Sequence, residues 1–221
     1  MLPWRFPHDA LVNEESLEQQ LAAGATALGL QLAAEQLGQL LLYLELLARW
    51  NRTYNLTAVA TVEQGITRHL LDSLSIVPYV HGKRFLDVGS GAGLPGIPLA
   101  IVLKDRFFTL LDSNGKKVRF LCHVRSELKL ANVQEVQSRV ESYQHPAGFD
   151  GVISRAYSAL GKFTTSSDHL LKGDGYFYAM KSRCKTAELS LLPERYKVVA
   201  DHPLHVPGLD GHRHLIVLNR A

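Results

Sequence analysis

A chain of 221 residues that is 46% hydrophobic and 20% charged has enough apolar matter to bury a core, which excludes a disordered or low-complexity segment. Its 24 Lys and Arg against 21 Asp and Glu leave a net charge of only +3, so a polyanionic partner would have to be met by local clustering. Cys122 and Cys184 offer no disulfide framework or metal site, Met1 to Ala10 has no apolar stretch of signal length, and no run reaches the length of a membrane span. The expectation is a cytoplasmic protein with no metal.

Residues 1–13, with Pro3 and Pro7, read as a loose or docked tail. Helices are expected from Glu14 to Leu28, stopped by Gly29, and from Ala33 to Trp50, where Leu37, Leu40, Leu41, Leu44, Leu47 and Trp50 form one apolar stripe. The following Asn51, Thr53, Asn55 and Thr57 predict a hydrogen-bonded turn, since their side chains compete with helix. A third helix from Val62 to about Val77 ends at Pro78 and sets Arg68 and Asp72 one turn apart, the spacing of an ordinary ion pair. Residues 1–78 thus form a helical extension, and residues 79–221 a second unit. In that unit strands near 84–88, 107–111, 133–137, 149–154 and 175–180 alternate with helices near 96–103, 114–129 and 159–171. The alternation predicts a parallel sheet with right-handed crossovers. Two last strands, near 195–201 and 213–219, predict an antiparallel pair at its end.

The centre of the chain is Phe85-Leu86-Asp87-Val88-Gly89-Ser90-Gly91-Ala92-Gly93-Leu94-Pro95-Gly96. It reads as a buried strand, an acid, a glycine turn open to a ligand, and a helix whose first N–H groups would face that ligand. Such a turn lies where cofactors bind in an open α/β sheet. Gly91-x-Gly93-x-x-Gly96 also fits the dinucleotide fingerprint, with Asp112 at about the expected distance for its ribose-binding acid. Asp87 favours S-adenosyl-L-methionine instead: an acid suits that cofactor's ammonium and repels a pyrophosphate. Asp112 would accept the ribose hydroxyls, and Val140 and Glu141 after the third strand would hold and read an adenine. The fourth strand ends in Ser154-Arg155-Ala156, with neither a cysteine nucleophile nor the Asn or Asp followed by Pro-Pro that attack on an exocyclic amine usually employs. A substrate atom with a free lone pair, such as a guanine N7, needs neither, only alignment. Lys116, Lys117, Arg119 and Arg125 after Asp112, with Arg139, Arg155, Lys181, Arg213 and His214 at strand ends, gather cations suited to a phosphate backbone.

Taken together the chain resembles the RsmG (GidB) family of bacterial 16S ribosomal RNA methyltransferases over about residues 35–219. The likeness rests on Trp50-Asn-x-x-Tyr-Asn-Leu-Thr57, Arg68-His-x-x-Asp-Ser73, the Asp87 to Pro98 loop, Leu111-Asp-Ser113 with Lys116-Lys-Val-Arg-Phe-Leu121, Ser138-Arg-Val-Glu141, Val152-Ile-Ser-Arg-Ala156, Tyr178-Ala-Met-Lys181 and Arg213-His214. The resemblance implies a Class I S-adenosylmethionine-dependent methyltransferase fold: a Rossmann-like, seven-stranded, mostly parallel sheet with an antiparallel last strand, preceded by the helical extension. It implies methyl transfer from S-adenosyl-L-methionine to N7 of a guanine in the 530 loop of 16S ribosomal RNA, in the small ribosomal subunit, by a monomer. Carried over by position, cofactor contacts fall on Asp87, Gly89, Gly91, Gly93, Leu94, Asp112, Val140, Glu141 and Arg155, and Arg155 also positions the reactants. RNA contacts fall on Asn55, Arg68, His69, Lys116, Arg119, Arg139, Lys181, Arg213 and His214. Where family members often carry Glu before the Arg-His pair, this chain has His212. The competing readings are an NAD(P)-dependent oxidoreductase and an RNA-binding assembly factor without catalysis.

Overall fold

The computed structural model describes residues 8–59, 61–155, 157, 159–182 and 186–221, with side chains from residue 15 onward except at 186 and 187. Residues 1–7 of the expected tail, Ala156 and Cys184 lie outside the described residues. The remainder of that tail is helical: α1 (His8–Ala27) begins well before Glu14. The second helix, α2 (Ala34–Tyr54), buries Leu37, Leu40, Leu41, Leu44 and Leu47 as its stripe requires. It runs beyond Trp50 because Asn55, at a left-handed φ of 50°, caps it, a conformation Asn tolerates better than most residues. The expected turn therefore starts later. Asn51 accepts the Thr57 N–H at 2.8 Å, Thr57 Oγ1 accepts the Val59 N–H at 3.2 Å, and the Thr57 hydroxyl lies 2.9 Å from His69 Nε2.

The third predicted helix is three pieces end to end. Thr61 caps α3 (Val62–Gly65), a π-helical segment runs over Ile66–Leu71, and α4 (Asp72–Leu74) completes it. Ser73 Oγ donates to the His69 carbonyl at 2.6 Å, which ties the Arg-His pair to the Asp-Ser pair one turn on.

The sheet has seven strands: β1 (Arg84–Val88), β2 (Phe107–Asp112), β3 (Val133–Gln137), β4 (Phe149–Ser154), β5 (Leu171–Lys181), β6 (Tyr196–Pro203) and β7 (His214–Arg220). Their order is β3-β2-β1-β4-β5-β7-β6. The first five are parallel, and β7 runs antiparallel to both neighbours. Helices α5 (Gly96–Val102), α6 (Gly115–Glu127), α7 (Leu160–Ser167) and α8 (Thr186–Leu189) complete the fold. The helix expected over 159–171 is shorter and β5 longer than the pattern indicated. The Arg220 guanidinium explains this: it bonds Asp168 Oδ1 at 3.0 Å and the carbonyls of Asp168, Leu171 and Lys172, fixing the turn after α7 and the start of β5 against the end of β7. Gly173 and Gly175 had hidden the start of this strand.

One apolar cluster joins Leu21, Leu40, Leu44, Ile66 and Leu70 of the helical segment to Phe85, Ile97, Leu121 and Tyr178 around one face of the sheet. A second cluster covers the other face with Val88, Val152, Phe163, Phe177 and Ile216. The helices before β1 are therefore packed onto the sheet rather than tethered to it. The sheet order reverses direction between β1 and β4, so the carboxyl ends of these two strands flank a crevice.

Candidate active site

The turn after β1 is held in shape by main-chain bonds. The N–H groups of Gly89 and Ser90 donate to the Leu111 carbonyl at 2.8 and 3.1 Å, and those of Gly93 and Leu94 donate to the Ser90 carbonyl at 2.8 and 3.0 Å. The path needs positive φ at Gly89 (68°), Gly91 (61°) and Gly93 (90°). A Cβ at Gly93 would sit 2.6 Å from Ile97, whereas one at Gly91 would meet no atom nearer than 3.8 Å. Gly93 thus serves packing, and Gly91 leaves open space above the turn. Leu94 is buried beneath it. Tyr43 of α2, itself fully buried, donates its hydroxyl to the Ala92 carbonyl at 2.8 Å and anchors the turn from below.

Asp87 is sealed from solvent. Its Oδ2 accepts the Gly96 N–H at 2.9 Å, and its Oδ1 is buried with no hydrogen-bond partner. Burial pushes its carboxyl up to about 7, against the Gly96 N–H and the Arg155 charge, which favour the ionised form, and with the Asp112 charge, which opposes it. This corrects the expected helix terminus. The first N–H of α5 does not face a ligand, because Asp87 already takes it and Gly93 takes the next at 2.7 Å. A pyrophosphate would meet a carboxylate where the dinucleotide fingerprint needs free N–H groups.

Asp112, at the tip of β2, accepts the Gly91 N–H on Oδ2 at 2.9 Å and the Asn114 N–H on Oδ1 at 2.8 Å, with the Lys117 ammonium 3.6 Å from Oδ2. It locks the glycine turn to the second strand and caps nothing itself; Asn114 is the cap of α6, accepting the Lys116 N–H. An ionised carboxylate has about four acceptor positions, so both oxygens retain capacity for a hydroxyl. Val140 is buried and opens a 3₁₀ turn over Val140–Ser142, where Glu141 is exposed at the edge of a cavity of about 680 Å³. A buried carboxylate atom without a partner, a turn open above Gly91 and an acid at the next strand tip fit a cofactor carrying an ammonium and a ribose. Of these, the buried Asp87 carboxylate is the feature a dinucleotide arrangement does not share.

A cavity of about 490 Å³ lies beside the turn, at the ends of β4, β5 and β7. It collects Arg68, His69, Arg155, Lys181, Arg213 and His214, six of the residues expected at the site, from four separate stretches. What sequence reasoning missed at its centre is Asp72. Its carboxylate is buried and pairs with Arg155 Nη1 at 3.1 Å and Arg213 Nε at 3.0 Å. The expected Arg68–Asp72 pair does not form, and Arg68 is exposed. An exposed pair at that spacing is worth only ~0.2–0.5 kcal/mol, whereas a buried carboxylate requires strong charge-assisted bonds. Nothing in the local sequence of Asp72 points to partners more than eighty residues away. His69 is buried too. Burial, with the Arg155 charge next in effect, drives its imidazole down to about 4; its Nδ1 lies 3.0 Å from the Arg68 carbonyl, so the neutral ring accepts the Thr57 hydroxyl. Lys181 is matched by Glu188 at 2.5 Å, and His214 by Asp201 at 2.8 Å.

The remaining expected residues do not enter this cavity. Lys116 and Arg119 are exposed on α6 and Arg139 at the end of β3. Asn55 is exposed, and its left-handed φ gives it a place as the cap of α2. At the tip of β4, Ser154 Oγ donates to the Val88 carbonyl at 2.8 Å, fastening the two strands across the crevice. Cys122 lies on α6, away from the crevice, and burial together with Glu135 pushes its thiol up to about 11.

The sequence profile described as rRNA small subunit methyltransferase G (GidB) matches residues 36–216. The chain is 52% identical over 205 residues to the Ribosomal RNA small subunit methyltransferase G of Ectopseudomonas mendocina, covering 92% of this chain and 96% of that protein. To the protein of the same name in Stutzerimonas stutzeri it is 50% identical over 214 residues, covering 96% and 99%. Among solved structures it is similar in fold to a protein in the NADB-Rossmann superfamily from Streptococcus agalactiae, with a TM-score of 0.55 at 14% identity over 68% of each chain. A match running from the second helix into the last strand, at half identity to relatives of nearly its own length, leaves one assignment: the chain belongs to the rRNA small subunit methyltransferase G family.

Proposed function

We propose that this protein transfers a methyl group from S-adenosyl-L-methionine to N7 of a guanine in the 530 loop of 16S ribosomal RNA, within the small ribosomal subunit, as a cytoplasmic monomer. The single observation that carries the reading is the position of Arg155: it follows the strand beside the glycine turn, and its guanidinium reaches into the cationic cavity.

When bound, the cofactor supplies an electrophilic methyl carbon. The glycine turn would offer it a floor with little side-chain bulk, Asp112 would accept from its ribose, Val140 and Glu141 would flank its base, and Asp87, whose ionised form a neighbouring ammonium favours, would supply the negative charge opposite that ammonium. N7 of guanine carries its own lone pair and needs no deprotonation. That agrees with a strand tip whose serine hydroxyl is spent on a backbone carbonyl and a cysteine held as a thiol on a remote helix. The protein's task is alignment, and holding two reactants in line can lower a barrier by ~7–11 kcal/mol at best. Arg68, Arg155, Lys181, Arg213 and His214 face the RNA from the cavity, and Lys116, Arg119, Arg139 and Asn55 extend that contact over the neighbouring surface.

The test is tritiated methyl transfer to small subunits from a strain lacking the enzyme, followed by mass-spectrometric mapping of the modified nucleotide. Label at a guanine N7 supports the reading; no incorporation favours an assembly factor without catalysis. Calorimetry that detects a nicotinamide dinucleotide and not S-adenosyl-L-methionine would overturn the cofactor assignment.

A further inference from the structure

We propose that Asp72 is a positioning residue: its buried carboxylate holds the guanidiniums of Arg155 and Arg213 together as one receptor for a phosphate group of the substrate RNA. The proposal rests on the reading that the substrate is RNA.

The cations of the cavity are not equivalent. Lys181 has its own carboxylate in Glu188. His69 is neutral at ordinary pH. Arg155 and Arg213 come from strands separated by β5, from the end of β4 and the residue before β7, and meet on a single carboxylate. Two like charges brought that close repel unless an anion lies between them. With Asp72 the group carries two positive charges and one negative, an excess of +1, which one phosphodiester neutralises. Each guanidinium side chain keeps over a quarter of its surface exposed, 28% for Arg155 and 29% for Arg213, while Asp72 keeps 4%. The carboxylate is thus the hidden hinge of the pair, and the guanidiniums are the part open to a ligand. Each presents five N–H donors in a rigid fork, well suited to phosphate oxygens.

Further contacts fix the geometry. Arg155 Nη1 also lies 3.4 Å from the Arg68 carbonyl, and Arg213 Nη1 donates to the His212 carbonyl at 3.1 Å. Asp72 itself is held at the end of the π-helical segment, where its N–H bonds to the carbonyls of His69 and Thr67. Because Arg155 follows Ser154, which is bonded to the Val88 carbonyl just before the glycine turn, a phosphate seated on the pair would set its nucleotide at a fixed distance from the methyl donor. The segment before β1 therefore contributes to the chemistry as well as to packing.

The decisive measurement is RNA affinity, by filter retention on the purified small subunit, for the full-length wild type and Asp72→Asn. Asparagine keeps the shape and removes the charge. If Asp72 only contributed to the field, deleting a negative charge would tighten RNA binding. Positioning predicts the reverse, a loss of about tenfold or more. Affinity equal to or tighter than wild type overturns the proposal. A purely structural role is separated by a cycle with Arg213→Ala: Asp72→Asn adds little further loss in that background if the two act together, and its full loss if they are independent. Should Asp72→Asn fail to fold, Arg213→Lys keeps the charge without the fork; weakened RNA binding at unchanged thermal stability supports the pair, and unchanged binding overturns it. Methyl transfer by the wild type is scored separately, so a protein that binds RNA but transfers nothing would refute the catalytic reading and leave the Asp72 result standing on its own.

Discussion

The glycine turn and the cationic cavity lie side by side, yet they are built in opposite ways. The turn is made by consecutive residues whose own φ angles and N–H groups shape it, with Asp87 and Asp112 pinning it from the tips of two strands. The cavity has no local shape at all. It exists because Arg68, Asp72, Arg155, Lys181 and Arg213 are carried to one place by helices and strands far apart in sequence. Both regions bury an ionisable group and shift it toward its neutral form, an acid in the turn and an imidazole in the cavity. A site formed by backbone tolerates few substitutions at its own residues, while a site formed by assembly is vulnerable at whatever holds the pieces together.

The largest expected effect sharpens that contrast at Asp87. Replacing it with alanine removes both the bond to Gly96 and the charge, and S-adenosyl-L-methionine affinity by calorimetry should fall about 1,000-fold, on the order of 4 kcal/mol. Asparagine keeps an acceptor for Gly96 and loses only the charge. If Asp87→Asn binds the cofactor as well as wild type does, the acid shapes the turn and plays no part opposite the ammonium.

The two buried groups should pull stability in opposite directions with pH. Asp87 titrates higher in the folded state than in the unfolded one, so its contribution is full below about 4 and is lost as pH rises through about 7. His69 titrates lower when folded, so its contribution is full above 6.5 and is lost as pH falls towards about 4. Urea unfolding of Asp87→Asn should lack the first loss and His69→Gln the second, each on the order of 3 kcal/mol. Parallel pH profiles for both variants and the wild type would contradict this.

Smaller effects follow from packing. A Cβ at Gly96 would lie 2.2 Å from Leu110 and 2.8 Å from Asp87 Oδ2, so Gly96→Ala should cost about 1–3 kcal/mol through overpacking, read as a lower midpoint in urea. Tyr43→Phe leaves the buried Ala92 carbonyl without its donor and should cost about 1 kcal/mol. The contrast is Lys162→Ala: at an exposed position of α7 that lines the cavity beside Glu141 and not the cationic one, it should leave stability and RNA affinity unchanged.

Much of this molecule was readable from the chain itself. The strand and helix rhythm, the antiparallel end of the sheet and the glycine turn are consequences of residue periodicity and of backbone freedom at a few glycines, which act over short distances. The boundaries that misled the reading had different causes: α7 stops where Arg220, far along the chain, binds its end, whereas α2 continues until the adjacent Asn55 takes the left-handed conformation that caps it. The site divides along the same line. Asp87, Asp112 and the glycines could be placed near strand tips and in a turn because those features are local. Asp72 could not, because the spacing to Arg68 suggests a surface pair, and only burial makes two guanidiniums, eighty-three and one hundred and forty-one positions away, the stronger partners. Sequence determined which groups were available and what each could do; tertiary structure decided which of them lost water, and a charge that loses water must find its opposite wherever the fold supplies one.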